Sequence, residues 1–322
     1  MKFIDMHVDT LMHMRRYPEQ NLLKNEVSVD FARMRQGGCL AQFFAIFLPP
    51  ASRLAQLEPP LSDEVFINEL FAIIERDTAA SPDIEIARSY ADLLENEAAG
   101  RMSAFITFED GRDLLGSMER LKMYYDRGIR LITLTWNGIN CLGHPCSDNA
   151  DEMALGLTDF GRDAVSVMNE MGILVDVSHL SDGGFWDVAQ ISRRPFVASH
   201  SNSRAMTPHR RNLTDEQIKA LANSGGCMGI NFGPYFLAPI IESNKSTIED
   251  MVRHAKHIVN IGGIEVLALG SDLDGVGGEL EIDCISKMPM LFDALAAAGF
   301  TPLQIEAIAQ GNVRRVIKES IF

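Results

Sequence analysis

An α/β fold of the TIM, or (β/α)8, barrel class is predicted from three observations. Eight short β-rich or apolar runs recur along the chain, helix-compatible stretches lie between them, and 322 residues suit the roughly 250-residue barrel with insertions in its loops. The runs cover residues 3–8, 39–48, 102–108, 129–135, 173–177, 196–199, 227–232 and 266–270. Several are continuously hydrophobic rather than alternating, the pattern of parallel strands covered on both faces. The intervening helical stretches include 63–78, 114–126, 159–171, 214–222, 248–261 and 288–298.

Punctuation fixes the register of two helices. Thr158 stands before DFGRDAVSVMNEMG as an N-cap, and Gly172 closes that run. Thr214 opens DEQIKALANSGG with Gln217 three residues on, a capping-box pattern, and Gly225 ends it. An open dinucleotide-binding sheet is the competing architecture. It is disfavoured because DMHVDT, not a Gly-x-Gly-x-x-Gly turn, follows the first run. No repeat, low-complexity tract or Pro/Gly/Ser linker divides the chain, so residues 1–322 are expected to form one barrel domain.

Composition excludes some partners. The chain carries 29 Lys and Arg against 44 Asp and Glu, a net charge of −15, whereas phosphate backbones need clustered cations. No nucleic acid is expected. The start, MKFIDMHVDT, has no basic segment followed by an apolar one, and no stretch of about 18 uninterrupted apolar residues occurs. No membrane association is therefore expected, and a cytoplasmic location is. Five cysteines without Cys-x-x-Cys spacing support neither a disulfide frame nor a zinc knuckle; reduced, buried thiols are the simpler expectation.

The chemistry emerges when the C-terminal ends of the runs are read together, because barrel active sites form at that mouth. Those ends carry His7 and Asp9, Glu109, Trp136 and Asn137, His179, His200, Asn231 and Asp272. Any one of these has an ordinary structural explanation. Imidazole and carboxylate oxygen are nevertheless good zinc ligands, and five of them (His7, Asp9, Glu109, His179 and His200) suffice for two ions sharing a carboxylate. In His7-x-Asp9 the two-residue period of a strand points both side chains one way.

These motifs carry a family resemblance. DMHVDT, FEDG around Glu109, GIRLITLTWN, VDVSHLS around His179, ASHSNSR around His200, HRRNLTDEQ around Arg211, GINFGP and GSDLDG around Asp272 stand in one order over nearly the whole chain. In that order they resemble the membrane (renal-type) dipeptidases, peptidase M19, of the metal-dependent amidohydrolase superfamily. The resemblance implies that His7, Asp9 and Glu109 bind one zinc and Glu109, His179 and His200 a second, with Glu109 bridging. It implies Asp272 as the acid/base group and Arg211 as the anchor of the substrate's terminal carboxylate. LITLTWN offers no lysine for the carboxylated-lysine bridge of other amidohydrolases, in keeping with a bridging glutamate. Asp274, the second aspartate of GSDLDG, is expected to be structural.

The implied reaction is hydrolysis of small dipeptides, including those with a D-residue at the C-terminal side. Two ions about 3.5–4 Å apart acidify a water, Asp272 takes its proton and returns it to the leaving amine, and Arg211 clamps the carboxylate in bidentate fashion. One departure stands out. Better-known members carry a histidine directly after LTLT, where this chain has Trp136. Trp136 could pack against the substrate side chain, and His144, eight residues later, could reach the same space. Lactone, phosphoester or deaminase chemistry and a non-catalytic metal-binding barrel are the alternatives. His254 and His257 are expected on the solvated face of an outer helix, GVGGE at 275–279 is expected to be a flexible rim loop, and His13 and His209 receive no role. A homodimer is expected from the resemblance alone.

Overall fold

The computed structural model describes residues 1–240 and 243–322. Eight parallel strands close on themselves: β1 (Phe3–Val8), β2 (Cys39–Phe47), β3 (Met102–Glu109), β4 (Ile129–Thr133), β5 (Leu174–Asp176), β6 (Val197–Ala198), β7 (Cys227–Ile230) and β8 (Leu267–Leu269). Each pairs with the next, and β8 returns to β1 with Asp5 opposite Leu269. The longest ladder joins β2 to β3, from Ala41 opposite Ser103 to Phe47 opposite Glu109. This is the TIM barrel that the eight runs announce.

Strand alternation divides the apolar residues into two sets. In β3, Ala104, Ile106 and Phe108 face the surrounding helices, while Phe105 joins Phe43, Leu131 and Leu174 in the lumen. Phe43 and Phe105 stack there with ring centroids 4.7 Å apart. By the same two-residue period, Glu109 continues the lumen-facing series at the strand's C-terminal end. The opposite end of the lumen is closed by the last helix, Asn312–Ser320. Its Val313, Val316 and Ile317 pack into the inner cluster, and Asn312 Nδ2 donates to the carbonyl of Leu267 at the start of β8. One mouth is thus plugged and the other left for loops.

Where β6, β7 and β8 meet, the lumen has no room for side chains. A Cβ on Gly229 would lie 2.2 Å from the carbonyl oxygen of Ser199, and one on Gly270 1.7 Å from it.

Most helices begin where their caps say. Thr158 Oγ1 accepts from the backbone N–H of Gly161, and Gly172 closes Asp159–Met171 at φ 84°. Thr214 and Gln217 form the capping box of Asp215–Asn223, which ends one residue ahead of Gly225, at Ser224. The stretch 114–126 is two pieces instead: a 3-10 turn, Gly111–Leu114, and a helix, Met118–Arg127. Leu115 and Gly116, at φ 52° and 73°, break the helical path, and Ser117 caps the second piece. Sequence periodicity also passes over the helices Thr10–Arg16, Phe31–Gly37, Tyr90–Ala98 and Asp182–Ile191, and a short strand, Ile84–Ile86, that pairs with the start of β3. Among the described residues, no helix is long and apolar enough to cross a membrane.

His254 corrects the sequence reading. It is fully buried within the helix Ile248–Gly262, where its Nδ1 accepts from the backbone N–H of Ser203 and its Nε2 donates to the carbonyl of Leu237. The histidine ties this outer helix to the β6 loop, so its pattern position on the helix misreports its burial. His257 is partly exposed and pairs with Asp215 at 2.7 Å.

Candidate metal centre and substrate pocket

Each predicted ligand arrives from a different part of the barrel rim. His7 is on β1, but Asp9 has already left the strand and sits at φ −103°, ψ 19° as the N-cap of Thr10–Arg16. The expected strand alternation is therefore not what aligns them. A register shift between Asp5 and Val8 re-aims the strand end, and Asp9 Oδ2 still comes within 3.5 Å of His7 Nε2. Glu109 ends β3. His179 and His200 lie beyond the ends of β5 and β6.

Two of the site residues adopt left-handed backbone, His179 at φ 68° and Asp272 at φ 60°. Such conformations cost about 1–3 kcal/mol and persist only where the surroundings enforce them. The His179 carbonyl is held by the N–H of Cys146 at 2.7 Å and by Thr135 Oγ1 at 3.3 Å. The Asp272 N–H donates to the carbonyl of His7 at 3.1 Å, tying β8 to β1 beside the cluster.

Ligand atoms of His7, Glu109 and His200 lie within 4.8 Å of one another, as do those of His7, Asp9 and Asp272. Glu109 Oε2 is 3.6 Å from His7 Nε2, while its Oε1 is 3.0 Å from His179 Nε2 and 3.6 Å from His200 Nε2. Zinc bonded to nitrogen and oxygen at about 2.0–2.1 Å in tetrahedral geometry requires donors about 3.3 Å apart, which these spacings straddle. Tautomers agree. Ser199 Oγ donates to Asp176 Oδ2 at 2.5 Å and so receives the Nδ1–H of His200 at 2.8 Å; His179 Nδ1 faces Asn137 Oδ1 at 3.3 Å. Both Nε2 lone pairs then point at each other across 3.1 Å, an arrangement that a shared cation makes favourable. His7 Nδ1 and Nε2 and Asp9 Oδ1 are buried and, among the described residues, have no hydrogen-bond partner. The residues fit a metal site.

Electrostatics points the same way. Burial pushes the Glu109 carboxyl up to about 7, with the charge of Asp9 adding to the rise and His7 opposing it. Burial likewise holds Asp272 well above the usual carboxylate range; the charge of His7 opposes the rise, Asp9 and Glu109 add to it, and Arg211 opposes it. Burial disfavours a charged His7, yet the carboxylates of Glu109 and Asp9 keep it well above the ordinary imidazole value. His179 and His200 are pushed well below that value by burial, then by neighbouring cations including Arg211 and His7. Crowded buried carboxylates beside neutral imidazoles are the electrostatics of a cation site.

Above the cluster opens a cavity of about 300 Å³, lined by Asp9, Glu109, His179, Arg211 and Asp272 together with Phe47 and Trp136. Trp136 packs edge-on against Phe47 at 4.9 Å. His144 does not line this cavity. Its Nδ1 is 2.9 Å from the carbonyl of Gly156, and it borders a neighbouring depression with Asn137 and Arg210. Arg211 is buried, and among the described residues its Nε has no partner and its other nitrogens reach only Ser201 Oγ at 3.5 Å and the His200 carbonyl at 3.4 Å. Phe236 lies under the guanidinium, and His209 supports both, accepting from the Arg211 N–H and packing against the Phe236 ring. His209 thus has a structural part that the sequence reading did not give it.

Asn231, which the sequence reading places at a strand end without a role, and two buried aspartates it passes over complete the site. Asn231 Nδ2 donates to Asp272 Oδ2 at 2.7 Å, leaving Oδ1 to face His7. Asp176 holds the N–H groups of Ser178 and Ser199 besides the Ser199 hydroxyl, and Asp5 accepts from the N–H and hydroxyl of Ser271. An aspartate inside an otherwise apolar strand, as in FIDMHV and LVD, was the available signal. Gly275 leaves space where a Cβ would lie 2.0 Å from Asp9 Oδ2 and 2.4 Å from Asp272 Oδ1. Asp274 is structural, accepting from Thr10 Oγ1 and the Ser28 N–H, while its carbonyl faces His13 Nε2.

A closed parallel barrel with carboxylates and imidazoles converging at its C-terminal mouth defines a metal-dependent hydrolase. More narrowly, the chain belongs to the membrane dipeptidase family, peptidase family M19, whose family model matches residues 1–321. Among solved structures it is similar to the dipeptidase AC, a metallopeptidase of family M19, at 26% identity and a TM-score of 0.90, over 100% of this chain and 99% of that one. A metallopeptidase from Rhodobacter sphaeroides, liganded with a phosphinate mimic of the dipeptide L-Ala-D-Ala, matches at 25% identity and a TM-score of 0.89 over 99% of each chain. Among curated relatives, Dipeptidase aclJ of Aspergillus oryzae is 30% identical over 303 residues, 90% of this chain and 69% of that protein.

Proposed function

We propose that the protein is a zinc-dependent dipeptidase hydrolysing small dipeptides, including those with a D-residue at the C-terminal side. His7, Asp9 and Glu109 would hold one ion, and Glu109, His179 and His200 the other. When bound, such ions supply a water acidic enough to ionise near neutral pH and a Lewis acid for the scissile carbonyl.

The observation that carries the dipeptide reading is Arg211. Among the described residues this buried guanidinium has no carboxylate partner, and it lines the same cavity as Glu109 and Asp272. A desolvated, unpaired arginine suits a free carboxylate, which a dipeptide carries one residue from its only peptide bond. Phe236 and His209 keep the guanidinium in place. Asp272 suits proton transfer because Asn231 fixes one of its oxygens and leaves the other facing the cluster. It takes a proton from the attacking water and gives one to the leaving amine. Trp136 and Phe47 provide an apolar wall of the cavity. The D-residue reading is supported by the L-Ala-D-Ala mimic held by the Rhodobacter sphaeroides relative.

The test measures metal content beside hydrolysis of an L-Ala-D-Ala-type series in wild type, Asp272→Asn and Arg211→Ala. Asp272→Asn is expected to keep its metal and lose turnover by 10²-fold or more, on the order of general acid–base catalysis. Arg211→Ala is expected mainly to raise KM. Zinc-loaded wild type that cleaves no dipeptide would overturn the proposal.

A further inference from the structure

The cavity holds a second cation that the reaction as proposed does not use. Arg53 lies on the short helix Ala51–Leu54 directly after β2 and lines the same cavity as Arg211, Glu109 and Asp272. It is exposed, and among the described residues its guanidinium takes part in no hydrogen bond or ion pair. Neighbouring rim arginines differ. Arg112 is committed to Asp63 and Asp110, and Arg210 to Asp148.

Position gives the unpaired charge a meaning. Arg211 follows β6 and Arg53 follows β2, four strands apart on a ring of eight, and both line the one cavity with Glu109, His179 and Asp272. A dipeptide whose terminal carboxylate is held by Arg211 has its peptide bond over the cluster. Its N-terminal residue then extends toward the side built by β1, β2 and β4, where Met12, Phe47 and Trp136 line the cavity together with Arg53. The ammonium of that residue is repelled by a second cation, so the group that meets Arg53 is the side chain.

Resting on the dipeptidase reading above, we propose that Arg53 is a specificity-determining residue that selects dipeptides with an acidic N-terminal residue, glutamate above all. A short methylene stem against Phe47 and Trp136, tipped by a carboxylate on a guanidinium, satisfies both halves of the subsite. Glutamine has the same shape without the charge, so the pair isolates the electrostatic contribution.

The experiment compares kcat/KM for L-Glu-L-Ala with L-Gln-L-Ala, and L-Ala-L-Glu with L-Ala-L-Gln, in metal-loaded wild type, Arg53→Gln and Arg53→Glu. L-Ala-D-Ala serves as the reference substrate of the parent reading. Wild type is expected to favour L-Glu-L-Ala over L-Gln-L-Ala by about tenfold, the size of one charge-assisted hydrogen bond. The ratio within Arg53→Gln should fall to about one, and within Arg53→Glu below one; ratios within a single variant cancel any general loss of activity. A wild-type ratio of one with L-Ala-D-Ala still cleaved overturns the Arg53 assignment alone. So does a preference that survives in Arg53→Gln, or one confined to the C-terminal position. Failure to cleave any dipeptide overturns both readings.

Discussion

At the scale of single residues, the site is defined as much by what it leaves out as by its ligands. Gly275 is the clearest case, because the smallest side chain would press between Asp9 and Asp272. Gly275→Ala is expected to lower kcat/KM by about 10²-fold, the cost of displacing reacting groups by an ångström, with the circular dichroism spectrum retained. Activity within threefold of wild type would contradict the packing argument. His254 sets a different expectation. Burial pushes it down to about 3, with Arg253 and His257 contributing, and its Nδ1 already accepts a backbone N–H, so a second proton has no acceptor. The unfolded imidazole, near 6.5, binds its proton at higher pH than the folded one. Its contribution is therefore fully present above about pH 6.5 and lost as pH falls, by up to about 1.4 kcal/mol per unit. Denaturant unfolding between pH 7 and 5 should show a slope about one proton smaller in His254→Gln than in wild type.

At the scale of elements, caps and strand ends follow different rules. Caps are local: Thr158 and Thr214 are recognisable from a few neighbours because a side-chain oxygen two or three residues from a free N–H needs nothing else. Thr158→Ala is expected to reduce unfolding free energy by about 1 kcal/mol and leave kcat unchanged, as chemical denaturation and steady-state rates would show. Strand ends are not local. Glu109 follows the two-residue period of lumen-facing Phe105, while Asp9 reaches the cluster only because a register shift and a helix start bend the chain there. His254 was misread for the same reason, since a helix face can be covered by a loop as well as by the core.

At the scale of the whole molecule, ligands from β1, β3, β5 and β6 converge on one cluster, so a bound metal cross-links the barrel at its open mouth. Anything that binds the folded state alone stabilises it by mass action, by about 4 kcal/mol at a thousandfold excess over Kd. Chelation is expected to lower the unfolding midpoint and zinc to restore it; an unchanged midpoint on adding zinc to chelated protein would argue against the site. The plugged lumen at the other end keeps the barrel closed without metal, so chelated protein should retain its secondary structure.

The barrel and the family were legible in the sequence, because apolar runs, caps and ordered motifs are properties of short segments and their spacing. Pairing distances, the lone-pair orientation of His179 and His200, the unpaired guanidiniums of Arg211 and Arg53 and the space at Gly275 were decided only by tertiary structure. Those quantities depend on where residues a hundred or more positions apart meet across the mouth, and no local pattern encodes that closure.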